Sequence, residues 1–308
     1  MPLLTVIIPF LKDDTTELFE ETLASFLENR TEGVEILILN SVNYEDMYGI
    51  QNEEGVRFLK VDPEISYLEA VNRGMEESDS EFVHPVLCGA VAKNDWITPA
   101  LKRFENPAVS AVIPVLIEEK EESEEPFRRI HSGFVYERSG KVFPYSPKTN
   151  MKKWSRLAPH YAGAFYRRSV IRDLHFFNTS LEEIFAFVDM SLMISSLGDR
   201  TVLETHSRLY EPFDRFQDRE VDPLLWKEEQ EILYSHWRHW GGSLGTGILH
   251  RCRLWVEYIK AVCSGNGRAV LFAYSKGKRK EAAEERLSFL NNLKTLRKSR
   301  LQKSKDSI

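Results

Sequence analysis

Three stretches carry residues whose types and spacing suit chemistry. Asn72 and Arg73 are the polar residues of the run Leu68–Gly74, which has helical spacing. An arginine there can grip a phosphate through two parallel N–H donors, and a solvated arginine is the plain alternative. Arg167 and Arg168 follow a small-residue step, Ala162-Gly163-Ala164. Glu183 and Asp189 are the carboxylates of a helix expected over Leu181–Leu197 and stopped by Gly198. Ser180-x-x-Glu183 also has the spacing of a capping box, in which Glu183 would only satisfy the helix start. His84, His131 and His206 stand apart from one another and read as packed or surface histidines. Cys88, Cys252 and Cys263 lack the spacing of metal ligands or of a disulfide framework, and Cys88 reads as a small buried apolar residue.

These residues need a scaffold, and the apolar runs define one. Leu3–Pro9 is continuous and rich in β-branched residues, the signature of a strand buried on both faces. Asp14-Thr15-Thr16 can cap a helix in which Leu18, Leu23 and Phe26 recur at helical spacing. Val34–Leu39, Phe58–Val61 and Ala108–Ile117 read as further strands, and Glu81-Phe82-Val83 leads another. Strand, helix, strand with short links predicts an α/β fold with a doubly wound, mostly parallel sheet. Such sheets take ligands at strand carboxyl ends, here Pro9-Phe10-Leu11, Asn40-Ser41-Val42 and Asp62-Pro63. The acidic block Glu118–Glu125 reads as a solvated loop. Phe134–Tyr136 and Val142-Phe143 read as a hairpin around Ser139-Gly140.

On these residues the chain resembles the family-two glycosyltransferases of GT-A fold. The strand ending in Ile8-Pro9 and the helix Leu68-Glu69-Ala70-Val71-Asn72-Arg73-Gly74 match that family's nucleotide half. The stretch from Tyr161 to Glu211 matches its acceptor half: a GAF-like step, a helix, a Gly, a strand and a closing residue. The resemblance implies a sugar moved from a nucleotide-sugar donor to a glycan or lipid-linked acceptor. It places Pro9, Asn40, Ser41, Asn72, Arg73 and Gly89 at the donor, and Gly163, Arg167 and Glu211 on the acceptor side. The departures fall on the family's chemistry. Its second strand ends in an Asp pair, here Asn40-Ser41. Its Asp-x-Asp falls on Leu87-Cys88-Gly89 or, with a gap, on Ala92-Lys93-Asn94. Its helix opens on Glu-Asp-x-Asp, here Ala186-Phe187-Val188-Asp189, and its closing His is Glu211. The nearest candidates for the base are therefore Glu183 and Asp189. No metal site is implied, so the expectation is no cofactor and a metal-independent enzyme. The alternative is an inactive relative that binds a glycan or nucleotide, or scaffolds a partner.

Composition bounds the rest. The chain has 308 residues, 42% hydrophobic and 29% charged, ordinary for a globular protein. The net charge of -6 is uneven: residues 276–308 hold eleven Lys or Arg and four Asp or Glu, about +7, leaving about -13 elsewhere. A body of that sign is not a nucleic-acid binder. The basic tail suits anionic lipid, a solvated helix, or the chain's own acidic body. MPLLTVIIPF reads as a buried strand and not a leader, and no run reaches the ~18 apolar residues of a membrane span. Cytoplasmic placement, with contact at the inner membrane face through the tail, is the expectation. The division expected is a GT-A-like domain over 1–215 and a helical extension over 216–308. In that extension, residues 223–240 read as helical, with Trp237 and Trp240, residues 241–245 break the chain, and residues 250–262 form an amphipathic helix.

Overall fold

The computed structural model describes residues 2–120, 127–137, 142–145 and 156–211, with scattered positions between 248 and 299. The expected helix over 223–240, the break at 241–245, the Ser139-Gly140 turn and the boundary near 215 lie outside the described residues.

Strand β1 (Leu4–Phe10) is buried along its whole length. Its side chains alternate between two cores: Val6, Ile8 and Phe10 on one face, Ile7 on the other. That alternation explains the continuous apolar run, since neither face of a central strand meets water. Helix α1 (Thr16–Glu28) starts where Thr15 accepts the Leu18 amide on its side-chain oxygen, and it lays Phe19, Leu23 and Phe26 on the first face. Strands β2 (Val34–Asn40) and β3 (Val56–Lys60) extend the sheet in parallel from β1. Helix α2 (Tyr67–Glu77) opens on a true capping box between Ser66 and Glu69 and covers the second face. Gly74 lets it approach: a Cβ there would stand 2.5 Å from Ile7 Cγ2.

The chain then crosses to the other side of β1. Strand β4 (Phe82–Pro85) pairs with β1 in parallel, followed by β5 (Val91–Ala92) and α3 (Thr98–Arg103). Strand β6 (Val109–Lys120) runs into the acidic block expected as loop. Its end pairs with β7 (Phe127–His131), with Glu118 in register with Arg129 and Glu119 with Arg128. A small sheet of β8 (Phe134–Tyr136), β9 (Val142–Pro144) and β10 (Arg156–Ala158) contains the expected hairpin pairing. Strand β11 (Phe165–Arg167) enters the main sheet antiparallel between β4 and β6. Helices α4 (Arg168–Asp173) and α5 (Glu183–Leu197) follow, and β12 (Arg200–Glu211) closes the sheet beside β6. Among the described residues the sheet order is β3-β2-β1-β4-β11-β6-β12-β5, with β7 on β6. The doubly wound, mostly parallel architecture expected from the strand runs is the one observed.

Two expectations change. Helix α5 has no capping box: its N-cap is Glu182, and the Ser180 hydroxyl donates to Asn178 Oδ1 instead. The basic tail is not simply an appendage either. Leu293 is buried in the second core, with Phe289 and Leu296 packed against it, and the Phe289 ring meets His175 at 5.5 Å. Spacing of i, i+4 and i+7 puts those three on one helical stripe, so the tail docks by its apolar side. Leu293→Ala should therefore lower the stability of the full chain by about 2–5 kcal/mol in urea unfolding. An unchanged midpoint would mean that the tail is no part of the core.

Candidate functional site at the carboxyl ends of β1 and β2

Strand order reverses beside β1: the chain steps outward to β2 and β3, then returns to β4 on the opposite side. A reversal of that kind opens a crevice at the carboxyl ends of the strands, because the connections on either side diverge. A cavity of about 460 Å³ lies there, lined by Phe10, Lys12, Asp14, Glu20, Tyr44 and Tyr48 among others. That volume suits a small-molecule ligand.

Its wall is aromatic. Phe10 stacks on Phe19 at 4.2 Å, and Tyr44 stands edge-on to both at 5.9 and 5.1 Å. The Tyr44 hydroxyl donates to Glu20 Oε1 at 2.9 Å. Burial, and then the Glu20 hydrogen bond and charge, push the Tyr44 phenol up to about 12. Pro9 sits one residue from the end of β1, buried and paired with Leu39. Asn40 and Ser41 occupy the expected place but are wired inward. Asn40 Oδ1 accepts the amides of Val42 and Tyr44, and its Nδ2 donates to Tyr44 O. Ser41, buried, donates its amide and its hydroxyl to Phe10 O. Both shape the loop that carries Tyr44.

The loop after β4 is knit to its neighbours. Val86 bridges Gly163, Leu87 donates its amide to Ala162 O, and Gly89 donates its amide to Thr22 Oγ1 at 2.7 Å. Gly89 has φ 100, a conformation a side chain resists. Cys88 is buried. A hard divalent cation needs several oxygens, mostly charged, and Leu87, Cys88 and Gly89 supply no carboxylate. Among the described residues no group of three or more His, Cys, Asp or Glu could hold a metal ion. Asp95 is exposed, with φ 59. Two residues before Val86, His84 is fully buried, stacked on Phe165 at 3.8 Å, and donates Nδ1–H to Ala164 O. Burial lowers its pKa to about 3, so it is neutral.

Helix α5 begins at Glu183. Tyr67, at the start of α2, is buried and donates its hydroxyl to Tyr161 O. Its phenol is raised by burial first, and then by the charges of Glu183 and Asp14. Asp14 lines the cavity, and Glu183 is not among its lining residues. Glu183 is half-buried in the first turn of α5. Ala186 and Phe187, by contrast, are fully buried, with the Phe187 ring stacked on Phe177 at 4.4 Å. Asp189 is buried two residues further on, inside the core-facing helix and away from its head.

The remaining expected residues divide. Gly163 lies at this end of the sheet, across from Val86, where a Cβ would stand 2.7 Å from Leu209 Cδ1. Glu211 is the last residue of β12, opposite Glu118. The expected role of Asn72 is corrected by its bonds. Its Nδ2 donates to Phe177 O at 2.8 Å and its Oδ1 accepts Phe177 N at 2.9 Å, so both amide atoms are spent on the backbone. Arg73 pairs along α2 with Glu77 at 2.7 Å and Glu76 at 3.9 Å. Arg167 sits opposite Phe82, the first residue of β4, pairs with Glu81 and donates to Phe104 O. Arg168 donates to Met75 O and Glu76 O. Arg167 and Arg168 therefore lie at the amino ends of the parallel strands, and Arg73 is held toward that end by its acids. None of the three faces the crevice. The cation the sequence reading missed is Lys12, which lines the cavity and pairs with Glu64. Its signal was position alone: it follows directly on the first strand.

No protein-family model matches the chain, and no curated protein matches it. Solved structures do. GalNAc-T7 with UDP, GalNAc and Mn2+ superposes with TM-score 0.58 at 12% identity, over 76% of this chain and 48% of that one. The mannosyltransferase PcManGT from Pyrobaculum calidifontis, in complex with GDP-Man and Mn2+, gives 0.54 at 15%, over 95% and 85%. S. aureus TarS 1-349 gives 0.53 at 13%, over 77% and 65%. The chain thus spans about half the length of GalNAc-T7 and just under two thirds of the TarS chain. At these identities the likeness is one of fold, and the fold is that of the GT-A glycosyltransferases.

Two outcomes test this account. Phe187→Asp, which restores an acid at the family's base position, should cost about 3–5 kcal/mol in denaturant unfolding, because it deletes a packed ring and buries a charge. A stable variant would show that Phe187 is not core. For His84, the unfolded imidazole titrates near 6.5 and the folded one near 3. In that window the unfolded state binds more protons, so stability is fully present above 6.5 and falls as pH drops toward 3. The stability advantage of wild type over His84→Phe, followed by unfolding midpoint, should shrink across the same window. A pH-independent difference would contradict a buried neutral His84.

Proposed function

We propose that this chain binds a nucleotide sugar in the β1–β2 crevice and transfers the sugar to a hydroxyl acceptor, a glycan or a lipid-linked glycan, without a divalent ion. The observation that carries the reading is the cavity at the carboxyl ends of β1 and β2, where Tyr44 and Tyr48 stand beside the charged Lys12 and Asp14. The fold supports the donor class, since two structures of the same fold hold UDP or GDP-Man. The planar base and ribose would lie against the aromatic wall of Tyr44 and Tyr48.

The reaction on this reading is one displacement. The acceptor oxygen bonds to the anomeric carbon as the bond from that carbon to the diphosphate oxygen breaks. The electron pair of the broken bond leaves with the nucleoside diphosphate. Glu183, as carboxylate, takes the acceptor's proton. Lys12 supplies the positive charge nearest the departing phosphates, exchanging Glu64 for the ligand. Asp189 is buried within α5, so the proton transfer is assigned to Glu183.

A second reading is binding without turnover. Phe187 favours it, because the place where the resemblance expects the base is filled by a core ring. A panel of uridine and guanosine diphosphate sugars, followed by calorimetry and product formation, separates the two. For the transferase, Glu183→Gln should lower kcat by about 10²–10⁴ with little change in KM. Chelator should leave turnover unchanged. Ligand binding with no product from any acceptor would leave the binding reading standing. Absence of binding across the panel would sink both.

A further inference from the structure

Charge is uneven in the crevice at the carboxyl ends of β1 and β2. Among the described residues that line it, Asp14, Glu20 and Glu45 are acids and Lys12 is the cation. Lys12 is itself paired with Glu64. A diphosphate therefore has one favourable place, beside Lys12, and is repelled by the rest of the wall. What the acids can take is an uncharged group rich in N–H donors.

Glu20 is the acid placed for such a group. It is half-buried on α1, one residue beyond Phe19, whose ring stacks on Phe10. The Tyr44 hydroxyl reaches it from the loop after β2, so one hydrogen bond spans two walls of the cavity. With its phenol pushed up to about 12, Tyr44 stays protonated at neutral pH and keeps donating. A carboxylate has about four acceptor sites across its two oxygens, and Tyr44 takes one of them, on Oε1. Tyr48 stands at the rim, 72% exposed. Asp46 holds it there by accepting its amide and that of Gln51. An exposed ring near a half-buried carboxylate suits a flat ligand that stacks by its face and donates from its edge.

Nucleobases differ in the edge they offer. Guanine presents two adjacent donors, N1–H and the 2-amino group, which match the two oxygens of a carboxylate. Uracil presents N3–H between two carbonyl oxygens, and those oxygens would face the carboxylate. Adenine and cytosine each present one amino group beside the lone pair of a ring nitrogen, with the same conflict. Guanine alone of the four meets a carboxylate without repulsion, and repulsion of the others is what makes a site selective.

We propose that Glu20 is the specificity-determining residue of this crevice and selects guanine, which, resting on the nucleotide-sugar reading of the same cavity, makes the donor a guanosine diphosphate sugar. The base lies against Tyr48 with its donor edge on Glu20, and the diphosphate runs toward Lys12.

The test is calorimetric titration of the full chain with GDP, IDP, UDP, ADP and CDP. GDP should bind at least about tenfold more tightly than UDP, ADP or CDP. IDP keeps N1–H and lacks the 2-amino group, so it should bind about tenfold more weakly than GDP. Glu20→Gln replaces an acceptor oxygen by an amide donor. It should lower GDP affinity about tenfold to a hundredfold and bring GDP and UDP close together. Tyr44→Phe keeps the ring and the Glu20 carboxylate, so the preference for GDP should survive. Circular dichroism and the unfolding midpoint check that each variant is folded, and the IDP comparison needs no variant at all. UDP binding as tightly as GDP, IDP matching GDP, or a GDP preference that survives Glu20→Gln would overturn the guanine assignment and leave the nucleotide reading standing. A preference lost equally in Tyr44→Phe would mean that Glu20 acts only by placing Tyr44, which overturns it too. If none of the five binds, the nucleotide reading falls and the assignment falls with it.

Discussion

Asn72 grips the backbone N–H and C=O of Phe177 with both atoms of its amide, and the half of the molecule that carries α4 and α5 is built against that grip. Phe177 lies in the loop between α4 and α5, in which His175 and Phe176 both adopt positive φ. Two backbone hydrogen bonds to a side chain hold such a loop where its own geometry would not. Each contributes roughly 0.5–1.5 kcal/mol net, and more would be lost if either group were left buried and unpaired. The grip presents the Phe177 ring to Phe187 and to Tyr166, and α5 rests on that aromatic layer. Helix α5 is buried along most of its length, which is why its sequence shows no polar face.

The same substitution of packing for chemistry recurs around the sheet. At the end of β2, where charge would face a ligand, Asn40 turns its amide into the loop. After β4, an amide is tied to Thr22 and a thiol is buried. In α5, a ring occupies the place of an acid. At each of these places the backbone path is held by hydrogen bonds or packing and carries no ionised side chain. Fold and function separate in this way because the path depends on hydrogen bonds and apolar burial, while catalysis depends on a few exposed ionised groups. The charged groups that line the cavity at the carboxyl ends, Lys12 and Asp14, lie on the loop after β1, where side chains can change without disturbing the core.

Arginine placement follows from strand direction. Arg167 and Arg168 come at the end of β11, which runs against β4, so they emerge beside Glu81 at the amino ends of the parallel strands. There they join α2, α3 and the sheet: Arg167 lies over the rings of Phe82 and Phe104, and Arg168 bonds the last turn of α2. Their work is to seal the edge opposite the crevice.

The sequence by itself determined the class of fold, because periodicity is local. Leu3–Pro9 read as a strand with two buried faces, and Gly198 marked a helix end. It also disclosed that the cation motif and the base position had changed, since those are statements about residue type. Only the tertiary structure decided direction and partnership. Arg73 read as a phosphate grip and Arg167 as an acceptor-side residue until the acids of α2 and the antiparallel run of β11 turned them from the crevice. Asn72 read as a ligand until Phe177, more than a hundred residues on, took both its bonds. Ser180-x-x-Glu183 read as a cap until Asn178 took the serine, and Leu293 read as tail until it met the core. A residue's type states what it can bind, but its partner is set by contacts between segments distant in sequence, and no local pattern encodes those.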